Sequence, residues 1–142
     1  MKKSKLITVL QILESEDLRQ IQKLLKSPFF TSNKNILKLF QIIRRYHPDY
    51  SNSALAKEKL YAKVFPKTDY SDVKFRNLMG ELSKLIEEYL VLHFIRTDTY
   101  LQKRYLSIAY ANREELKLSH KESKALKAVS YTHLTLPTKR IV

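Results

Sequence analysis

The chain has 142 residues, 44% hydrophobic and 29% charged, which suits one domain with a real core and is too apolar for a disordered chain. A single glycine excludes Walker-type and dinucleotide-binding loops and argues against an all-β fold, because tight turns, bulges and phosphate cradles lean on glycine. Cysteine is absent, excluding disulfides and thiolate chemistry, while 27 basic against 14 acidic residues give +13, the balance of a polyanion binder or of a lysine-rich helical surface.

The start, MKKSKLITVLQILESED, imitates a secretory leader, but Gln11 interrupts the apolar run, acids follow, and no small-x-small cleavage site appears. It is expected to form a first core helix over Lys5–Leu13, with Leu6, Val9, Leu10 and Leu13 on one face. Ser15-Glu16-Asp17 is a helix start, a capping serine followed by acids at the positive end of the dipole. The second helix runs to Lys26 with Leu18, Ile21, Leu24 and Leu25 inward, and Ser27-Pro28 stops it. Phe29 and Phe30 follow. They are expected to plug the core; a stacking role would require exposure.

Thr31-Ser32-Asn33 caps a third helix over Lys34–Tyr46 that buries Ile36, Leu37, Leu39, Phe40 and Ile43. After His47-Pro48-Asp49, Ser51-Asn52-Ser53 caps a fourth over Ala54–Val64, with Ala56, Leu60, Tyr61 and Val64 inward and Leu55 to one side. Ser71–Arg96 then reads as one long amphipathic helix, its pattern repeating for about six turns. Its inner side carries Phe75, Leu78, Met79, Leu82, Leu85, Ile86, Tyr89, Leu90 and His93. Gly80 inside it costs about 1 kcal/mol relative to alanine and is expected to mark the close approach of another helix. Thr97-Asp98 caps Thr99–Asn112, with Leu101, Tyr105, Leu106, Ile108 and Ala109 inward. A more polar helix over Glu114–Lys127 has a weak apolar face. The reading is all-α: an orthogonal or antiparallel bundle of about six to seven helices around the long central one, without a sheet. No apolar run approaches the roughly 20 residues of a spanning helix, and a cytoplasmic location is expected.

LLKSPFF at Leu24–Phe30, KEKLYAKVFP at Lys57–Pro66 and YSDVKFRNLMGELSKLIEEYL at Tyr70–Leu90 together resemble the N-terminal region of a family of long, all-helical, functionally uncharacterised proteins of Bacteroidota-type bacteria. The resemblance covers Ser4 to Lys127. It implies further helices downstream, stacked as hairpins, and no catalytic residues. The end of the chain differs abruptly: Val129–Thr138, VSYTHLTLPT, resembles the translation of a transposase-type sequencing adapter. Residues 1–127 are therefore expected to be a helical N-terminal domain cut from a longer protein, and 128–142 a non-native, disordered tail. Without Lys139 and Arg140 the remainder is still basic.

No catalytic, cofactor or metal site is legible. His47, His93, His120 and the tail's His133 lack metal-ligand spacing, Glu87 and Glu88 diverge as helical neighbours, and the serines sit mostly at caps. The expected function is a non-enzymatic interaction or scaffold domain, its partner being a protein or the missing C-terminal helices, with no cofactor, small molecule or membrane. The alternative is a helix-turn-helix or winged-helix-like DNA reader. In it, Lys74 and Arg76 would take phosphate or guanine and Asn77 adenine, with Lys84 further along the same long helix. Asp69 and Asp72 would oppose phosphates there.

Overall fold

A computed structural model describes residues 4–126, so the adapter-like segment 128–142 and its expected disorder lie outside the described residues. Every regular element among those residues is helical, as the composition predicts, and none is a strand. The helices are α1 (Lys5–Gln11), α2 (Ser15–Lys26), α3 (Lys34–Ile43), α4 (Lys57–Val64), α5 (Asp72–Arg96), α6 (Thr99–Asn112) and α7 (116–126). The chain divides into two units, Met1–Tyr89 and Leu90–Val142, and the boundary falls inside α5.

In the first unit, local chemistry sets the helix ends. Ser4 Oγ accepts from Ile7 N–H at 3.2 Å and opens α1. Ser15 is not a cap. Glu14 takes that position, because its N–H donates to Asp17 Oδ2 at 2.9 Å and the boundary moves one residue upstream. Asn33 Oδ1 accepts from Asn35 N–H at 3.0 Å and opens α3 as predicted. The predicted Lys34–Tyr46 helix stops being α at Ile43 and tightens into a 3₁₀ turn over Arg44–Tyr46. The peptide His47-Pro48 is cis.

The predicted helix Ala54–Val64 is also two pieces, a 3₁₀ turn Ser53–Leu55 and then α4, separated by Ala56 in an extended conformation. That break aims Leu55 into the core, where it is 2% exposed rather than off to one side.

α5 organises this unit. Phe75, Leu78, Met79, Leu82, Leu85, Ile86 and Tyr89 are all buried, as their spacing predicts. Each preceding helix is tied to it. Lys5 of α1 pairs with Glu87 at 3.0 Å, and Tyr89 Oη donates to Asp17 Oδ1 of α2 at 2.7 Å. Asn33 at the head of α3 reaches Glu81 at 3.5 Å, and the Tyr61 ring of α4 meets Phe75 edge-on with centroids 6.2 Å apart.

Three expectations fail here. Phe29 does not plug the core: it is 89% exposed, and only Phe30 is half-buried. Gly80 is not a close-packing site, since a Cβ there would meet nothing within 4 Å. His93 is exposed, because the inward side of α5 ends at Tyr89.

In the second unit, α6 does not bury the predicted apolar side. Tyr105, Leu106 and Ile108 are exposed, Leu101 and Ala109 half-buried, and Ser107 is the buried residue. α6 turns its serine side to α7. Ser107 and Ser119 each donate from Oγ to the other's carbonyl at 3.0 Å, and Ser123 Oγ lies 2.8 Å from Ser107 Oγ. Lys103 pairs with Glu122 at 3.5 Å across the same two helices. These hydrogen bonds satisfy the buried Ser107 hydroxyl and join the two helices.

Candidate functional site

The front of α5 carries the residues expected to read DNA. Ser71 Oγ accepts from Lys74 N–H at 3.3 Å and starts the helix. Lys74 Nζ sits 4.1 Å above the centroid of the Phe65 ring, a cation–π contact that holds it back against the connection from α4. Arg76 Nε pairs with Asp72 Oδ2 at 2.9 Å, one turn back, and Lys57 Nζ lies 4.0 Å from the other oxygen. Tyr70 Oη donates to that same oxygen at 3.0 Å. Partial desolvation and then the Asp72 carboxylate raise the Tyr70 hydroxyl above its ordinary range.

Asn77 is exposed without a partner of this kind. Lys84 lies two turns further on, beside a hollow of about 270 Å³ whose lining includes Ser4, Lys5, Gly80 and Ser83. At about 100° per residue, Asn77 and Lys84 share a side of the helix, whereas Lys74 and Arg76 stand roughly 160° apart. All four are exposed on the solvent half of α5, with Asn77 and Lys84 between Lys74 and Arg76, and the structure gathers Arg76 and Lys57 around Asp72.

The titratable groups remain dispersed. His47 Nδ1 is 3.3 Å from Tyr50 Oη, a hydroxyl that burial pushes above its usual range against the pull of Arg44. His93 and His120 are exposed. Glu87 is engaged by Lys5, and its neighbour Glu88 points elsewhere on the helix surface. No group of three His, Asp or Glu that could hold a metal ion occurs among the described residues.

The second unit presents a different kind of surface. Leu90, Val91, Phe94 and Ile95 at the end of α5 and Leu101 and Tyr105 of α6 line an open, apolar groove of about 390 Å³. Val91 is 57% exposed, and Leu92, Phe94, Leu106, Ile108, Leu116 and Leu118 also reach solvent. That density of exposed apolar side chains exceeds the scattered single residues of an ordinary surface.

The sequence reading missed this groove because it assigned Leu90 and His93 to the same inward stripe as Phe75–Tyr89. A signal was present. On the helical wheel, Leu90, Val91, Phe94 and Ile95 centre roughly 150° away from the stripe that ends at Tyr89. An apolar face that changes side within one helix marks a helix serving two sets of contacts. Among the described residues, no helix is long and apolar enough to cross a membrane. Comparison with protein-family models, with curated proteins and with solved structures found no match.

Proposed function

We propose that this chain is a non-enzymatic helical interaction domain, and that the groove between the last turns of α5 and α6 receives an amphipathic helix of a protein partner. One observation carries the reading: Leu90, Val91, Phe94, Ile95, Leu101 and Tyr105 form a continuous apolar trough open to solvent. Grooves of this kind take helices through anchors at i, i+3, i+4 and i+7, and association removes the trough's apolar surface from water. The open trough is also what the N-terminal part of a longer helical-hairpin protein would present to its next helix. Genomic sequence read across codon 127 tests that origin for the occupant.

Selection from a displayed library of helical peptides on the full chain tests the groove itself. The expected winners carry apolar residues at helical spacing and lose binding when Phe94→Glu or Tyr105→Glu is introduced. Peptides without that spacing, or binding indifferent to both variants, would remove the proposal. Concentration-dependent sedimentation abolished by the same variants would instead make the occupant a second copy of the chain.

Duplex DNA binding through the front of α5 remains the second expectation, and it is weakened by the ion pair and cation–π contact that occupy Arg76 and Lys74. Loss of duplex binding with Lys74→Ala and Arg76→Ala, and steep salt dependence, would restore it.

A further inference from the structure

The turn between α2 and α3 holds an aromatic ring outward on a well-tied backbone. Pro28 cannot continue α2, and the N–H groups of Phe30 and Thr31 both donate to the Ser27 carbonyl, at 3.1 and 3.2 Å. Ser27 Oγ accepts from Phe29 N–H at 3.3 Å, and Thr31 Oγ1 accepts from Asn33 N–H at 3.1 Å. Phe30, half-buried, meets Phe29 edge-to-face with centroids 5.2 Å apart. Phe29 is nonetheless 89% exposed, more than any other large apolar side chain among the described residues. The ring therefore stands on a hydrogen-bonded turn with most of its surface open to solvent.

Exposed lysines flank it in the chain. Lys26 ends α2 three residues before Phe29, and Lys34 opens α3 five residues after it, so chain connectivity puts both at this end of the helix pair. Both are exposed. Glu81 reaches this end only on the α3 side, through Asn33.

A single exposed phenylalanine is ordinary by itself. What distinguishes this one is presentation on a hydrogen-bonded turn between two lysines. A protein interface needs a desolvated apolar centre within roughly 800 Å² per partner, and the neighbours of Phe29 from Lys26 to Lys34 are polar except for Pro28 and the half-buried Phe30. A nucleobase needs less: one open ring face, and cations within reach of the adjoining phosphates. An unpaired base is required, because a ring of this kind cannot enter a stacked duplex without unstacking it.

We propose that Phe29 is a stacking platform for an unpaired nucleobase, with Lys26 and Lys34 taking the flanking phosphates, so that this chain binds single-stranded nucleic acid. The site shares no residue with the groove of the second unit or with the front of α5.

Fluorescence anisotropy of a labelled oligothymidylate and a labelled oligouridylate, titrated with the full chain at low and moderate salt, tests it. Phe29→Ala is expected to weaken binding roughly ten-fold or more, and Phe29→Trp to retain it. Lys26→Gln with Lys34→Gln should weaken binding and flatten its salt dependence. Ile12→Ala, at an exposed position outside both surfaces, should leave oligonucleotide binding unchanged. Circular dichroism checks that each variant is folded, which the exposure of Phe29 makes the expected result. Absence of binding at low salt, or equal binding by Phe29→Ala, would overturn the proposal. So would Phe29-dependent binding to anionic phospholipid vesicles without binding to either oligonucleotide, which would assign the ring to a membrane surface.

Discussion

At the scale of single residues, two tyrosines show how much depends on one hydroxyl. Tyr61 is 1% exposed, its ring packs against Phe65, Tyr70 and Phe75, and its Oη makes no hydrogen bond within the described structure. A buried donor without a partner carries its full desolvation cost. Tyr61→Phe keeps every ring contact and removes that cost, so the expected result is a gain of about 1 kcal/mol in unfolding free energy, read as a higher urea midpoint at unchanged slope.

Tyr89 is the opposite case. Burial, then its hydrogen bond to Asp17, push its hydroxyl up to about 12 from an ordinary 10.0. The folded state therefore holds the phenolic proton more tightly than the unfolded chain. The stability this contributes is complete below about pH 10 and is lost as pH rises through about 12. Urea midpoints across that window should fall more steeply for the natural chain than for Tyr89→Phe. Parallel curves would show that folding does not raise the Tyr89 hydroxyl.

At the scale of elements, α5 is the helix whose details most depart from simple amphipathicity. Gly80 lies in its first half with open space where a side chain would be, so its conformational cost is not offset by packing. Gly80→Ala is expected to stabilise the chain by about 1 kcal/mol in thermal or urea unfolding. A loss of stability would mean that the hollow beside Lys84 closes in solution. The periodicity of Phe75, Leu78, Met79, Leu82, Leu85, Ile86 and Tyr89 was legible because those residues recur on one side of the helix. The α6 contact was not legible. Its buried residue is Ser107, and serine carries no periodic apolar signal; only Ser119 and Ser123, brought opposite by α7, turn it into a contact.

At the scale of the whole molecule, the two units differ in how their interiors are made. Among the described residues, every buried large apolar side chain belongs to the first unit, and Ser107 is the one buried residue of α6. Few buried contacts imply low local free energies of opening. Native-state hydrogen exchange should therefore find the amides of α6 and α7 exchanging by local opening, while those of α3 and of α5 up to Tyr89 approach the global unfolding limit. Equal protection across both units would contradict this, and protection of α6 that appears only with a selected helical peptide would support the proposed docking.

Helix content, the caps at Asn33, Ser71 and Asp98, and the inward residues of α2, of α3 apart from Leu37, and of the first part of α5 were determined by sequence alone. Local propensity, capping chemistry and apolar spacing are properties of neighbouring residues. Tertiary structure alone decided that Phe29 stands outside the core and that Leu55 turns in, whereas the change of apolar side in α5 after Tyr89 was already present in the spacing. Tertiary structure also decided that Lys74 and Arg76 are held by Phe65 and Asp72. Phe29 and Leu55 depend on which surface arrives opposite the residue, whereas Arg76–Asp72 and Lys74–Phe65 are near neighbours whose choice of partner only the folded geometry fixed.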